Sequence, residues 1–100
     1  MGKDSCDVCR HKMEPGSARK HDIIPEVFTE LCGISDSGSV ILCVNCYKEV
    51  HDWYLRRVYN LTYDYETKRF KYKSPKEMVK EYQSAFRSFV KYKSKRTQEN

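Results

Sequence analysis

The sequence predicts a small α+β domain closed around a four-cysteine metal site and followed by a C-terminal hairpin and helix. Three observations carry that expectation. Two C-x-x-C pairs, CDVC (Cys6, Cys9) and CVNC (Cys43, Cys46), stand thirty-three residues apart. The stretch LTYDYETKRFKYK alternates apolar or aromatic with polar residues, the period of two that a strand demands. Beyond SPKE, the residues Met78, Val79, Tyr82, Phe86, Phe89 and Val90 form an apolar stripe at helical spacing.

Length and composition set the frame. One hundred residues suit one domain whose modest core calls for a metal or a partner as reinforcement. No apolar run approaches a membrane span, and the polar start MGKDSCDVCR lacks a secretory apolar stretch. A soluble, cytoplasmic chain with no membrane association is therefore expected.

The C-x-x-C spacing lets a tight turn present two thiolates to one ion, and two such turns complete the tetrahedral shell of a structural Zn2+ at Cys6, Cys9, Cys43 and Cys46. The fifth cysteine, Cys32, belongs to an apolar pattern with Val27, Phe28, Leu31 and Ile34 and is expected to be a small core residue. With four thiolates available, His11 is peripheral. Between the two pairs, EPGS (14–17) is a turn, ARKHDII a short strand ended by Pro25, PEVFTELCG a short helix stopped by Gly33, and SDSGS a loop. VILC (40–43) is a strand leading into the second pair. From about Asn45, expected to cap it, a helix places Val50, Trp53, Tyr54 and Val58 on one face until about Asn60.

The charge is divided unevenly. Residues 1–53 carry six Lys/Arg against nine Asp/Glu, while residues 54–100 carry thirteen against five. Attraction to a polyanion must then come from the second half, with Arg56, Arg57, Lys68, Arg69, Lys71 and Lys73 as the nucleic-acid-binding candidates.

The segments CDVC, KHDIIP, VILCVNC and YKEVH, in this order and spacing over residues 6 to 51, resemble the HNH nuclease superfamily, whose ββα-metal core is often set in a zinc-bound treble clef. The resemblance implies a treble-clef, HNH-like ββα core. It matches His21 to a metal ligand, Asp22 to the histidine that serves as general base, and His51 to the second histidine of the helix. Tyr47 stands where the first helix histidine belongs, and Gly38 and Ser39 occupy the region of the loop asparagine. His21 and His51 are thereby marked as ligands of a second divalent ion, Mg2+, Mn2+ or another, and Asp22, His21 and His51 as the catalytic set. An aspartate near its usual ~3.9 is a far weaker base than an imidazole near ~6.5, and a neutral phenol is a poor ligand. Adjacent strand residues point to opposite faces, so His21 and Asp22 are not expected to grip the same ion.

In the second half, a hairpin is expected to turn at about Glu66 to Lys68. Ser74 then caps a helix with Pro75 in its first position and Glu77 completing a capping box, running to about Lys93. The aromatics of both elements, interleaved with Lys68, Arg69, Lys71 and Lys73, are expected to pack the last helix onto the first, the alternative being that they stack on bases. The organisation expected is an HNH-like zinc-binding core over 1–60, a basic hairpin and amphipathic helix packed on it over 61–93, and a disordered tail over 94–100. The leading function is that of an HNH-like zinc-binding protein that binds nucleic acid through its basic C-terminal half, DNA favoured over RNA, with weak or lost endonuclease activity. The alternatives are an active metal-dependent endonuclease, and a non-catalytic adaptor that uses helix 75–93 for a homodimer or a protein partner.

Overall fold

Pro25 and the turn at Glu14 delimit the first strand. Ser17 donates its amide (3.1 Å) and its hydroxyl (2.7 Å) to the Glu14 carbonyl, with Gly16 at φ 82° supplying the left-handed turn residue. In the computed structural model, which describes residues 4–34 and 38–98, the chain then extends as β1 (Arg19–Asp22). It pairs antiparallel with β2 (Ser39–Leu42) in the register Arg19 to Leu42 and His21 to Val40. Of the intervening loop, residues 35–37 lie outside the described residues.

The connection carries α1 (Glu26–Leu31), which ends as its Gly33 foretells. Gly33, at φ 68°, donates to the Glu30 carbonyl, and Ile34 donates to Thr29 at 2.8 Å, the two bonds of a Schellman stop. Its buried face differs from the expected stripe: Val27, Leu31 and Ile34 are exposed, and Cys32 is half-buried rather than core. The helix docks instead through buried Thr29 and through Phe28, whose ring lies 5.9 Å from that of Tyr82. Six residues make fewer than two turns, too few for a stripe to fix which side faces inward.

α2 (Val44–Arg57) follows β2 directly. Its N-cap is Cys43, so Asn45 lies inside the first turn and does not cap. Val50 and Tyr54 are buried, with Trp53 and Val58 packed beside them, and the helix lies against both strands and against the last helix. That last helix, α3 (Pro75–Gln98), begins as expected, the Ser74 hydroxyl accepting the Glu77 amide at 3.2 Å. Met78, Val79, Ala85, Phe86 and Phe89 form its buried side, and Phe89, Leu42, Val50, Cys6 and Cys46 are the most deeply enclosed side chains of the fold. No glycine or proline interrupts KYKSKRTQ, and the helix continues five residues past Lys93, so the tail expected over 94–100 is helical as far as Gln98.

The largest departure is the hairpin. β3 (Leu61–Asp64) and β4 (Arg69–Tyr72) pair with each other as a separate two-stranded sheet, turning through Lys68 at φ 57°. They were expected to pack on the core, yet Tyr65, Phe70 and Tyr72 are 83%, 69% and 77% exposed. The ribbon is fastened at its base, where the Lys73 amide donates to Asn60 and the Lys73 ammonium pairs with Glu81 at 2.7 Å. The apolar face of α2 is already covered by β1, β2 and α3, without the ribbon.

Candidate functional site

Two structural devices bring the cysteine pairs together. In the first pair, the Cys6 carbonyl accepts the Arg10 amide at 3.0 Å, and Arg10 turns the chain at φ 68°. Asp7 then joins this turn to β2: its amide donates to Ile41, and its carboxylate accepts the Ile41 amide at 2.7 Å. The second pair occupies the N-terminus of α2, where the Cys43 sulfur accepts the Cys46 amide at 3.4 Å. Because β2 runs straight into that helix, anchoring Asp7 to β2 places all four thiols in one cluster.

The cluster fits a tetrahedral ion. Zn–S bonds of about 2.3 Å hold tetrahedral sulfurs about 3.8 Å apart. The Sγ atoms of Cys9 and Cys43 stand 3.8 Å from each other, and all four lie within 4.8 Å of one another. Burial pushes the Cys6 thiol up, but amide hydrogen bonds around Cys9, Cys43 and Val8 outweigh it and bring the thiol to about 7. Burial and the neighbouring Cys6 push Cys46 strongly up. Four thiolates packed this closely repel, and a divalent cation such as zinc offsets that repulsion. His11 is exposed and outside the cluster. One contributor was not legible in the sequence: Lys93 of α3, ion-paired with Glu49, feels the field of Cys46 and Cys9, which helps hold its ammonium charged against the cost of burial.

A second centre lies in an open cleft of about 540 Å³ whose walls include Lys20, His21, Asp22, Tyr47, His51 and Tyr54. Alternation along β1 turns His21 inward, 5% exposed, and leaves Asp22 exposed. His51 comes from α2, with its ring centroid 5.5 Å from that of His21. The Tyr54 hydroxyl donates to the Ile23 carbonyl at 2.9 Å, so it accepts from His21 Nε2 at 3.2 Å, which assigns the proton to Nε2 and the lone pair to Nδ1. The His51 Nδ1–H donates to the Tyr47 carbonyl at 2.6 Å, leaving Nε2 as its acceptor. The Tyr47 ring packs edge-on against His51 at 4.5 Å. Burial, reinforced by the charge of His51 and only partly opposed by Asp22, holds His21 down at about 4, so it is neutral at neutral pH.

The expected catalytic set is thus only partly assembled. His21 and His51 meet across the cleft and Asp22 stands at its rim, but among the described residues the four cysteines are the one group of three or more ligating side chains gathered at a single point. Two imidazoles suit zinc, copper or nickel better than Mg2+ or Mn2+, which prefer oxygen ligands, so of the divalent ions expected here those two lack their usual donors. Tyr54 is the residue that sequence reasoning missed in this site. Its helical position beside Val50 and Val58 marked it as core, while its hydrogen bond to a residue thirty-three positions away carried no local signal.

The basic candidates are spread over two elements. Arg56, Arg57, Lys68, Arg69 and Lys71 are exposed, with the Arg57 guanidinium 3.8 Å above the Trp53 ring. Lys73 is half-buried in its pair with Glu81, which occupies its charge. No helix among the described residues is long and apolar enough to cross a membrane. Compared with known proteins, the chain matches no family model, no curated protein and no solved structure.

Proposed function

We propose that this chain is a zinc-stabilised, treble-clef protein with an HNH-like ββα core, that it binds nucleic acid, and that its endonuclease chemistry is weak or lost. The observation that carries this reading is the placement of His21 on β1 and His51 on α2 across one cleft, on a hairpin-then-helix unit whose helix opens with Cys43 and Cys46. A knuckle, a hairpin and a helix whose first turn supplies two thiols is the order a treble clef requires. Two facing histidines at these positions are what remains of a nuclease centre.

The chemistry is attenuated for stated reasons. Water activation needs a base poised near the working pH and a metal held by enough ligands. His21 is neutral but, held at about 4, too weak a base to draw a proton from water, Tyr54 occupies its Nε2, and Tyr47 offers a phenol where an imidazole is needed. Asp22 is exposed at the rim of the cleft, its side chain alternating away from the buried His21. Binding draws on the excess of cations in residues 54–100.

Metal analysis, oligonucleotide binding as a function of salt, and plasmid nicking with magnesium or manganese test this together. One zinc per chain, salt-sensitive binding and little or no nicking are expected. The double change Asp22→His with Tyr47→His should raise nicking above wild type, and His51→Ala should abolish what remains. Efficient nicking by the wild-type chain that disappears in Asp22→Ala would make it an active endonuclease. Absence of nucleic-acid binding at low salt would overturn the reading.

A further inference from the structure

Cross-strand partners share a face of a two-stranded ribbon. The register Leu61 to Tyr72 and Tyr63 to Phe70 therefore puts Leu61, Tyr63, Phe70 and Tyr72 on one side, and Thr62, Asp64, Arg69 and Lys71 on the other. Tyr65 extends the first side through an edge-on contact with Tyr63 at 4.9 Å, and Tyr63 meets Phe70 edge-on at 5.2 Å. The rings hold one another in place while Tyr65, Phe70 and Tyr72 keep most of their surface in water. An aromatic face of this kind gains free energy when it is covered.

Charge decides what covers it. Lys68, Arg69 and Lys71 line the turn and the reverse side, all exposed, in a half of the chain with thirteen cations against five anions. A second copy seated on this face would bring like-charged ribbons together. A flat anionic lipid surface taking up the aromatic side would leave Arg69 and Lys71, on the reverse side, turned away from its headgroups, whereas a flexible nucleic-acid strand can follow the edge of the ribbon from one side to the other. A nucleic-acid strand offers flat apolar rings joined by phosphates, matching both sides of the ribbon. Only an unpaired strand can turn its base faces outward, because a duplex keeps them stacked on one another.

We propose that the β3–β4 ribbon binds single-stranded nucleic acid, with bases stacked on Tyr65, Phe70 and Tyr72 and phosphates held by Lys68, Arg69 and Lys71. This deepens the nucleic-acid reading above and rests on it.

The test uses the full-length, zinc-loaded chain and fluorescence anisotropy with a labelled single strand of about 12 nucleotides and the duplex of the same sequence. The single strand should bind at least about tenfold more tightly than the duplex. Phe70→Ala and Tyr72→Ala should each weaken single-strand binding roughly tenfold to a hundredfold while leaving the melting temperature and duplex binding unchanged, and Phe70→Tyr should retain it. Equal binding of both forms, unaffected by either alanine change, would overturn stacking and leave the nucleic-acid reading standing. Binding to neither form would remove both readings. In that case, retention on phosphatidylcholine–phosphatidylserine vesicles or a concentration-dependent dimer, lost in Phe70→Ala, would assign the face to lipid or to a second copy instead.

Discussion

Phe89 and Phe70 are the same side chain in opposite circumstances. Phe89 is fully buried between α3 and the cysteine-bearing half, and Phe70 is 69% exposed on the ribbon. Both stand in apolar patterns that read as core. What separates them is the supply of opposing surface: the apolar face of α2 is covered by β1, β2 and the stripe of α3 over 78–90, and the ribbon between α2 and α3 in the chain stands outside that core. Periodicity reports which side of an element is apolar, whereas burial is decided by the whole set of elements competing for a limited core.

The comparison breaks most severely if the ion that the four thiols can hold is taken away. Cys6, Cys9, Cys43 and Cys46 join the first turn to the start of α2, and structural zinc supplies apparent binding energies of roughly 10–16 kcal/mol to small metal-dependent folds. Chelation, or Cys46→Ser, should therefore abolish cooperative unfolding by circular dichroism and expose α2 and α3 together. A chelated chain that melts as the native one does would show that the cysteine half stands without its ion.

The two phenylalanines sharpen the contrast directly. Phe89→Ala should cost about 3–5 kcal/mol in a denaturant titration, since it empties a filled position in the core. Phe70→Ala should change stability by no more than about 0.5 kcal/mol, as for other exposed sites. Comparable losses from both would mean that the ribbon packs on the core in solution.

A smaller effect belongs to the cleft. His21 sits at about 4 in the fold against an ordinary 6.5, so in the interval between these values the unfolded chain binds a proton that the folded chain refuses. Stability should fall as pH drops from about 6.5 to about 4, by at most roughly 3 kcal/mol, and be level in this respect above that window. Zinc thiolates also protonate in acid, and His21→Phe separates the two contributions because it keeps all four cysteines. The difference between wild type and variant, followed by thermal melts across the window, should carry the slope assigned to His21; a constant difference would remove that assignment.

The strands, the helices and the four-cysteine cluster were legible because each is written in local spacing: C-x-x-C, the alternation around LTYDY, the Ser74–Glu77 cap. What escaped were relations between distant residues. Tyr54 to His21, Lys93 beside the thiols, and the exposure of Tyr72 each depend on where whole elements settle. Helix ends also escaped where a residue did two jobs. Cys43 is both a member of the thiol cluster and the cap, which displaced Asn45 from the role its side chain usually takes.

Trp53 is the chain's single tryptophan, and its indole Nε1–H donates to the Ala85 carbonyl and the Ser88 hydroxyl, both at 3.0 Å. Its ring lies against Phe89 and Tyr92 of α3, with Arg57 of its own helix over it. The protein thus carries a built-in optical gauge of one contact: intrinsic emission reports whether the last helix is seated on α2, independently of the ribbon. Undocking of α3 should shift that emission to the red.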